Sequence, residues 1–216
     1  MKRNLFVLGI FLFLVFLGAC SRTEPRIVFG VMELVYYQGE TGPEERFSFF
    51  VIPEDDDGVE NLDEMLLYHD REGLRWSFGP GDWISYEAEG STWIGSRSIA
   101  MQDNGVLPRG QYRAVLVNKG GERAERNFTF DAPPEPRFPF PALSVSDGVY
   151  RIDSSYPENR FICYDAEGNF LMVKPLDRLE GPVADLGLAS GVRGVALWAV
   201  DASLATSALT DVAPLR

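Results

Sequence analysis

Histidine is nearly absent: His69 is the only one in the chain. Ser-His-Asp and Cys-His catalysis both need an imidazole positioned as base. His69 closes Met65-Leu-Leu-Tyr-His-Asp70, a strand running into a turn, with no Gly-x-Ser-x-Gly elbow beside it. It reads as a satisfied strand-end residue, and zinc would have to find its other ligands among carboxylates. Basic side chains are also scarce, 20 Lys and Arg against 32 Asp and Glu, for a net charge of −12. That excludes a nucleic-acid partner, because phosphate binding relies on clustered cations that release counterions. No phosphate-cradling glycine fingerprint occurs. Long apolar runs are missing after the first twenty residues, which excludes a multi-span membrane protein. Disorder is excluded in turn, since 45% hydrophobic and 12% aromatic residues give enough apolar surface for a core.

What is present begins at the amino terminus. Lys2 and Arg3 precede thirteen residues, Leu5 to Leu17, that are apolar except for Gly9. As a helix this run covers about 20 Å against a hydrocarbon core of about 30 Å, so it reads as an export signal and not a permanent span. Its ending, Leu17-Gly18-Ala19-Cys20, resembles the lipobox of bacterial lipoproteins. The resemblance implies that a peptidase recognises Leu17, Gly18 and Ala19, that residues 1–19 are removed, and that Cys20 carries the lipid. Two or three acyl chains, each methylene contributing about 0.8 kcal/mol, tether a protein without spanning the bilayer. Ser21 stands where an aspartate favours inner-membrane retention in that family, so the outer membrane is expected. The mature chain keeps 18 basic and 32 acidic groups, net −14, and membrane contact should then come from acyl chains and not from a basic patch. With Cys20 lipidated, Cys163 has no internal disulfide partner and reads as a buried, inert strand cysteine.

Residues 20–26 read as a tether. From Asp131 to Pro141 the chain has five prolines in eleven positions, which cannot pair inside a sheet and favour extended geometry. This divides the chain into a first module, 27–131, a Pro-rich linker, 132–141, and a second, smaller module, 142–216. Phe138 and Phe140 of the linker are expected to pack between the two. Period-two alternation marks strands, with Phe47, Phe49 and Val51 on one face and Tyr112, Ala114 and Leu116 on another. Asn118-Lys-Gly-Gly121 predicts a hairpin over 111–130. A helical turn is expected near 60 before a strand. Further strands are predicted at 148–153, 160–165, 169–174, 193–200 and 205–210, with a turn at Asp165-Ala-Glu-Gly168.

Leu107-Pro-Arg-Gly-Gln-Tyr112 resembles the turn into a late strand of immunoglobulin-like and fibronectin type III modules, L-x-x-G-x-Y. That resemblance implies a tyrosine corner in which the Tyr112 hydroxyl bonds back to the turn. Val51 to Gly58 with Asn61 and Leu62 is similar to a strand-to-strand loop of such bacterial surface modules. Leu188 to Arg193 repeats the Leu-x-x-Gly spacing with Arg in the tyrosine's place. The expected fold is all-β, a tandem of immunoglobulin-like or fibronectin type III-like sandwiches.

Two clusters could carry binding. Trp76, Trp83, Tyr86 and Trp93 crowd into eighteen residues; flat rings cover sugar C–H faces, and they also fill small sandwich cores. With Gly58 at the sixth position of an EF-hand-like loop, Asp55, Asp57, Asn61 and Glu64 take positions three, five, nine and twelve, although position one is Pro53. A solvated acidic loop is the competing reading. No cofactor is implied. The expectation is an acyl-anchored, non-catalytic envelope protein whose partners are the membrane through its lipid and an envelope protein or glycan. A carbohydrate-binding lipoprotein on the aromatic cluster is the alternative, and a hydrolase using paired carboxylates comes third.

Overall fold

The computed structural model describes residues 23–39, 42–88 and 90–215, and among these there is no α-helix. Eight strands precede the Pro-rich segment: β1 (Arg26–Gln38), β2 (Pro43–Glu54), β3 (Leu62–His69), β4 (Leu74–Phe78), β5 (Ile84–Ala88), β6 (Ser91–Ile99), β7 (Gly110–Asn118) and β8 (Arg123–Phe130). Eight follow it: β9 (Ala142–Ser146), β10 (Val149–Asp153), β11 (Glu158–Tyr164), β12 (Phe170–Pro175), β13 (Glu180–Pro182), β14 (Gly194–Asp201), β15 (Thr206–Leu209) and β16 (Ala213–Pro214). The lipobox, with Leu17, Gly18, Ala19 and Cys20, lies outside the described residues.

Local expectations and structure agree at several points. β7 and β8 form the hairpin, with Gly110 opposite Phe130 and Val117 opposite Arg123. At its tip Gly121 takes φ 86°, a left-handed backbone that glycine adopts without a Cβ clash. A single 3₁₀ turn, Val59–Asn61, leads into β3. The Tyr112 hydroxyl donates to the Pro108 carbonyl at 2.7 Å, closing the expected corner. Residues 23–26 depart from the tether reading: Pro25 is buried and Arg26 already belongs to β1.

The larger departure is in how the halves meet. A four-stranded sheet, β4-β3-β7-β8, and a three-stranded sheet, β13-β10-β9, belong to one half each. The third sheet belongs to both, a nine-stranded array ordered β12-β11-β14-β15-β1-β2-β6-β5 with β16 beside β14. β15 joins β1 in parallel, Leu34 opposite Thr206 and Tyr37 opposite Leu209. The boundary at 132–141 therefore separates the two small sheets and not the large one. The physical reason is the length of β1. All of its thirteen residues but Val28 pair with β2 on one side, leaving open backbone donors and acceptors on the other, and β15 covers the Leu34–Tyr37 stretch of that edge.

One face of the large sheet packs on both small ones. In the first half Phe47 meets Tyr112 and Phe130 edge-on at 5.0 and 4.5 Å, and Phe49 meets Phe128 at 5.1 Å. In the second, Phe161 meets Tyr150 at 5.4 Å. Edge-to-face pairs add about 0.5–1.5 kcal/mol beyond burial. The buried side chains from Leu34 and Phe47 through Phe161 to Leu197 form a single apolar cluster, with Phe138 and Phe140 of the linker packed against it.

The linker is held by a buried ion pair that the sequence reading did not find. Glu45, on β2, accepts from the two terminal guanidinium nitrogens of Arg109 at 2.6 and 2.8 Å and from the Leu107 backbone N–H at 2.9 Å. Arg109 also donates to the carbonyls of Leu107, Ala132 and Pro133. One side chain thus ties β2, the loop before β7 and the start of the Pro-rich segment. Burial opposes the Arg109 charge, but the Glu45 carboxylate outweighs it and holds the guanidinium protonated.

Candidate functional site

The other face of the nine-stranded sheet is concave. Side chains alternate along each strand, so while Leu34 and Tyr36 of β1 enter the core, Val31, Glu33, Val35 and Tyr37 point the opposite way. Ser48 and Phe50 from β2 and Arg97 from β6 stand beside them, with Tyr86 from β5. From the second half come Ile162, Val173, Trp198 and Leu209, with Phe170 at the rim. Together they line a cavity of about 170 Å³. β5 and β12 are opposite edges of the sheet, yet both reach this cavity, so the sheet is strongly coiled around it. Neither half forms this wall alone.

Close backbone approach shapes one side. Gly95 lies opposite Phe50, and a Cβ there would fall 2.0 Å from the Phe49 carbonyl oxygen and 2.8 Å from the Phe50 ring. Only glycine lets β6 run this close.

The polar groups of the cavity are few. Glu33 is the acid among its lining residues, and burial raises its pKa above the usual carboxylate range, with Ser207 and the charges of Arg160 and Arg97 pulling the other way. Three arginines lie on the aromatic rings of this face: Arg46 over Tyr37 at 4.6 Å, Arg97 over Phe50 at 5.7 Å and Arg160 over Trp198 at 5.1 Å. Arg46 has Glu44 at 3.6 Å and Arg160 has Glu158 at 2.5 Å. Glu33, Glu44 and Glu158 match the three arginines of this face in number. An apolar, aromatic-walled cavity with a few convergent polar groups is the usual form of a small-molecule binding site.

The four expected aromatics separate. Trp76 and Trp83 are half-buried against the core, and the Trp76 indole N–H donates to the Ala100 carbonyl at 2.8 Å. Tyr86 and Trp93 face each other across β5 and β6 with rings 3° from parallel and centroids 6.3 Å apart. Phe29 meets Trp93 edge-on at 5.9 Å. Of the four, Tyr86 alone lines the cavity. Sequence reasoning missed the rest of the lining; the alternation of β1, with Glu33 between Val31 and Val35, was the available signal.

The acidic loop does not gather its candidate ligands. Asp55 accepts from the Asp57 backbone N–H at 2.9 Å, from the Asn61 amide at 3.0 Å and from the Asn118 amide at 3.3 Å. Partial burial works against its charge, but these bonds hold its pKa below the ordinary value. Glu64 accepts from the Ser77 hydroxyl at 2.5 Å and has Arg75 at 3.5 Å, while the Asp57 side chain is exposed. The EF-hand-like reading is corrected accordingly: the carboxylates cap a turn and pair with β4, and no group of three His, Cys, Asp or Glu converges among the described residues.

His69 is buried. Its Nδ1 accepts from the Glu72 backbone N–H at 3.3 Å, so Nε2 carries the proton and donates to the Arg109 carbonyl at 3.2 Å. Its ring also packs on Tyr112 at 4.8 Å. Cys163 is buried as a free thiol, and burial raises its pKa.

No family model matches the chain, and no curated protein matches it. Among solved structures it is similar to Tp47, the 47-kilodalton lipoprotein of Treponema pallidum, at 13% identity and a TM-score of 0.31, covering 88% of this chain and 50% of that one. The chain spans half the length of that lipoprotein, and so distant a superposition brings neither activity nor ligand across.

Proposed function

We propose that this chain is an acyl-anchored protein of the bacterial cell envelope that binds a ligand and does not transform it. The observation that carries the reading is Cys20 placed directly after Leu17-Gly18-Ala19 at the end of a short apolar run. The all-β fold supports it, as does the commitment of His69 to structural hydrogen bonds on both ring nitrogens. No helix among the described residues is long and apolar enough to cross a membrane. Ser21 favours the outer membrane over the inner. The Thr23 carbonyl accepts from the Asn118 side-chain amide at 3.0 Å, and three residues extend at most about 11 Å. An anchor at Cys20 therefore brings the turn after β7 and the neighbouring Asp55 loop toward the bilayer.

Metabolic palmitate labelling tests this reading. The wild-type chain is expected to take up label and sediment with membranes, and Cys20→Ala to do neither. A wild-type chain that stays unlabelled contradicts the assignment. A glycan platform is the second reading, and the parallel Tyr86 and Trp93 rings favour it. Glycan-array binding that Trp93→Ala abolishes would support it, and an array without signal would remove it.

A further inference from the structure

We propose that the concave cavity binds a small amphipathic carboxylate, with an apolar or aromatic body against Val35, Phe50, Ile162 and Trp198 and its carboxylate on Arg97. The proposal rests on the reading of this chain as a binding protein and names the ligand class for that site.

Size sets the body. An apolar cavity of about 150 Å³ holds a guest the size of benzene. At about 170 Å³ this one takes a phenyl ring with a short alkyl group, or a chain of comparable volume. The mouth is open and apolar, with Val31 at 42%, Tyr86 at 37% and Phe170 at 56% exposure. Such exposed hydrophobic side chains around a cavity mark a site more readily than isolated ones do.

Charge sets the head group. Arg46 and Arg160 each have a carboxylate nearby on their own strand, Glu44 and Glu158. Arg97 is exposed at the cavity and has no carboxylate within ion-pair distance among the described residues. Its guanidinium presents paired N–H donors that match a carboxylate in plane. Glu33 is the group that could have selected an amine, but its surroundings disfavour the ionised form. An amine bound here would also lie beside the Arg97 guanidinium, which lines the same cavity.

The test uses the acylated mature protein, residues 20–216, in phosphatidylcholine nanodiscs, titrated calorimetrically with 4-ethylbenzoate and with 4-ethylbenzylamine, subtracting empty discs. These probes share a body and differ in head-group charge. The expected result is saturable, one-to-one binding of the benzoate and none of the amine. Arg97→Gln should weaken the benzoate about ten-fold or more, as expected for loss of a charge-assisted pair. Glu33→Gln should keep or strengthen it. Near-ultraviolet circular dichroism of each variant shows whether the fold is retained. Absence of saturable benzoate binding to folded protein overturns the proposal, as does amine binding that Glu33→Gln abolishes, or benzoate binding that Arg97→Gln leaves unchanged. Palmitate labelling is scored separately: a labelled chain that binds no benzoate sinks the ligand class alone, and an unlabelled chain that binds it sinks the anchor alone.

Discussion

Arg109 does more for the fold than its short turn suggests. It holds a buried carboxylate, two carbonyls of the Pro-rich segment and one of its own turn. Arg109→Met leaves Glu45 charged and buried, and should destabilise the chain by about 3–5 kcal/mol in denaturant unfolding. Adding Glu45→Leu should recover much of that loss, because a buried pair exchanged for apolar groups is often close to neutral. Glu33 acts in the opposite sense. Its carboxyl pKa is raised by burial, so the folded state holds the proton more tightly than the unfolded one. The contribution is complete below the unfolded pKa and declines as pH rises through the folded one. Glu33→Gln is therefore expected to raise the melting temperature at pH 7 and to leave it little changed at pH 4; a lower value at pH 7 would contradict the placement of this carboxyl. Such a residue, unfavourable for stability and facing a cavity, is the kind that binding sites retain.

At the scale of elements, β1 is the spine. Its alternation sends Leu34 and Tyr36 to the core and Val31, Glu33, Val35 and Tyr37 to the cavity, and its two edges receive β2 and β15. Ala208 lies within β15, fully buried and opposite both Tyr36 and Ala199. Ala208→Pro removes a backbone donor and should strip hydrogen-exchange protection from residues 34–37 while leaving the β7–β8 hairpin protected. Unchanged protection at 34–37 would mean the β15–β1 joint is not formed in solution. The β7–β8 hairpin and the corner at Tyr112 were legible from the chain, since a glycine-bearing turn and a Leu-x-x-Gly-x-Tyr spacing are local. The β15–β1 pairing was not. Its partners lie some 170 residues apart in the chain, and Thr206–Leu209 is too short to advertise a neighbour.

For the molecule as a whole, one apolar cluster crosses both halves. Unfolding by urea is therefore expected as one transition, seen alike by tryptophan fluorescence and far-ultraviolet circular dichroism. Two separated transitions would restore the picture of independent modules. The Cys163 thiol, buried in this cluster with a raised pKa, should react with a thiol reagent only as fast as the chain opens.

Alternating apolar residues, turn glycines and the Tyr112 spacing determined an all-β protein, its main hairpin and five strands of the second half to within two residues, because those signals act over a few residues. They could not say which strand lies beside which, since every strand edge offers the same backbone donors and acceptors. That choice belongs to the tertiary structure. By placing β15 on β1 it merged two sheets into one, coiled that sheet so that its opposite edges approach, and brought Glu33, Arg97 and Trp198 to one cavity from distant parts of the chain.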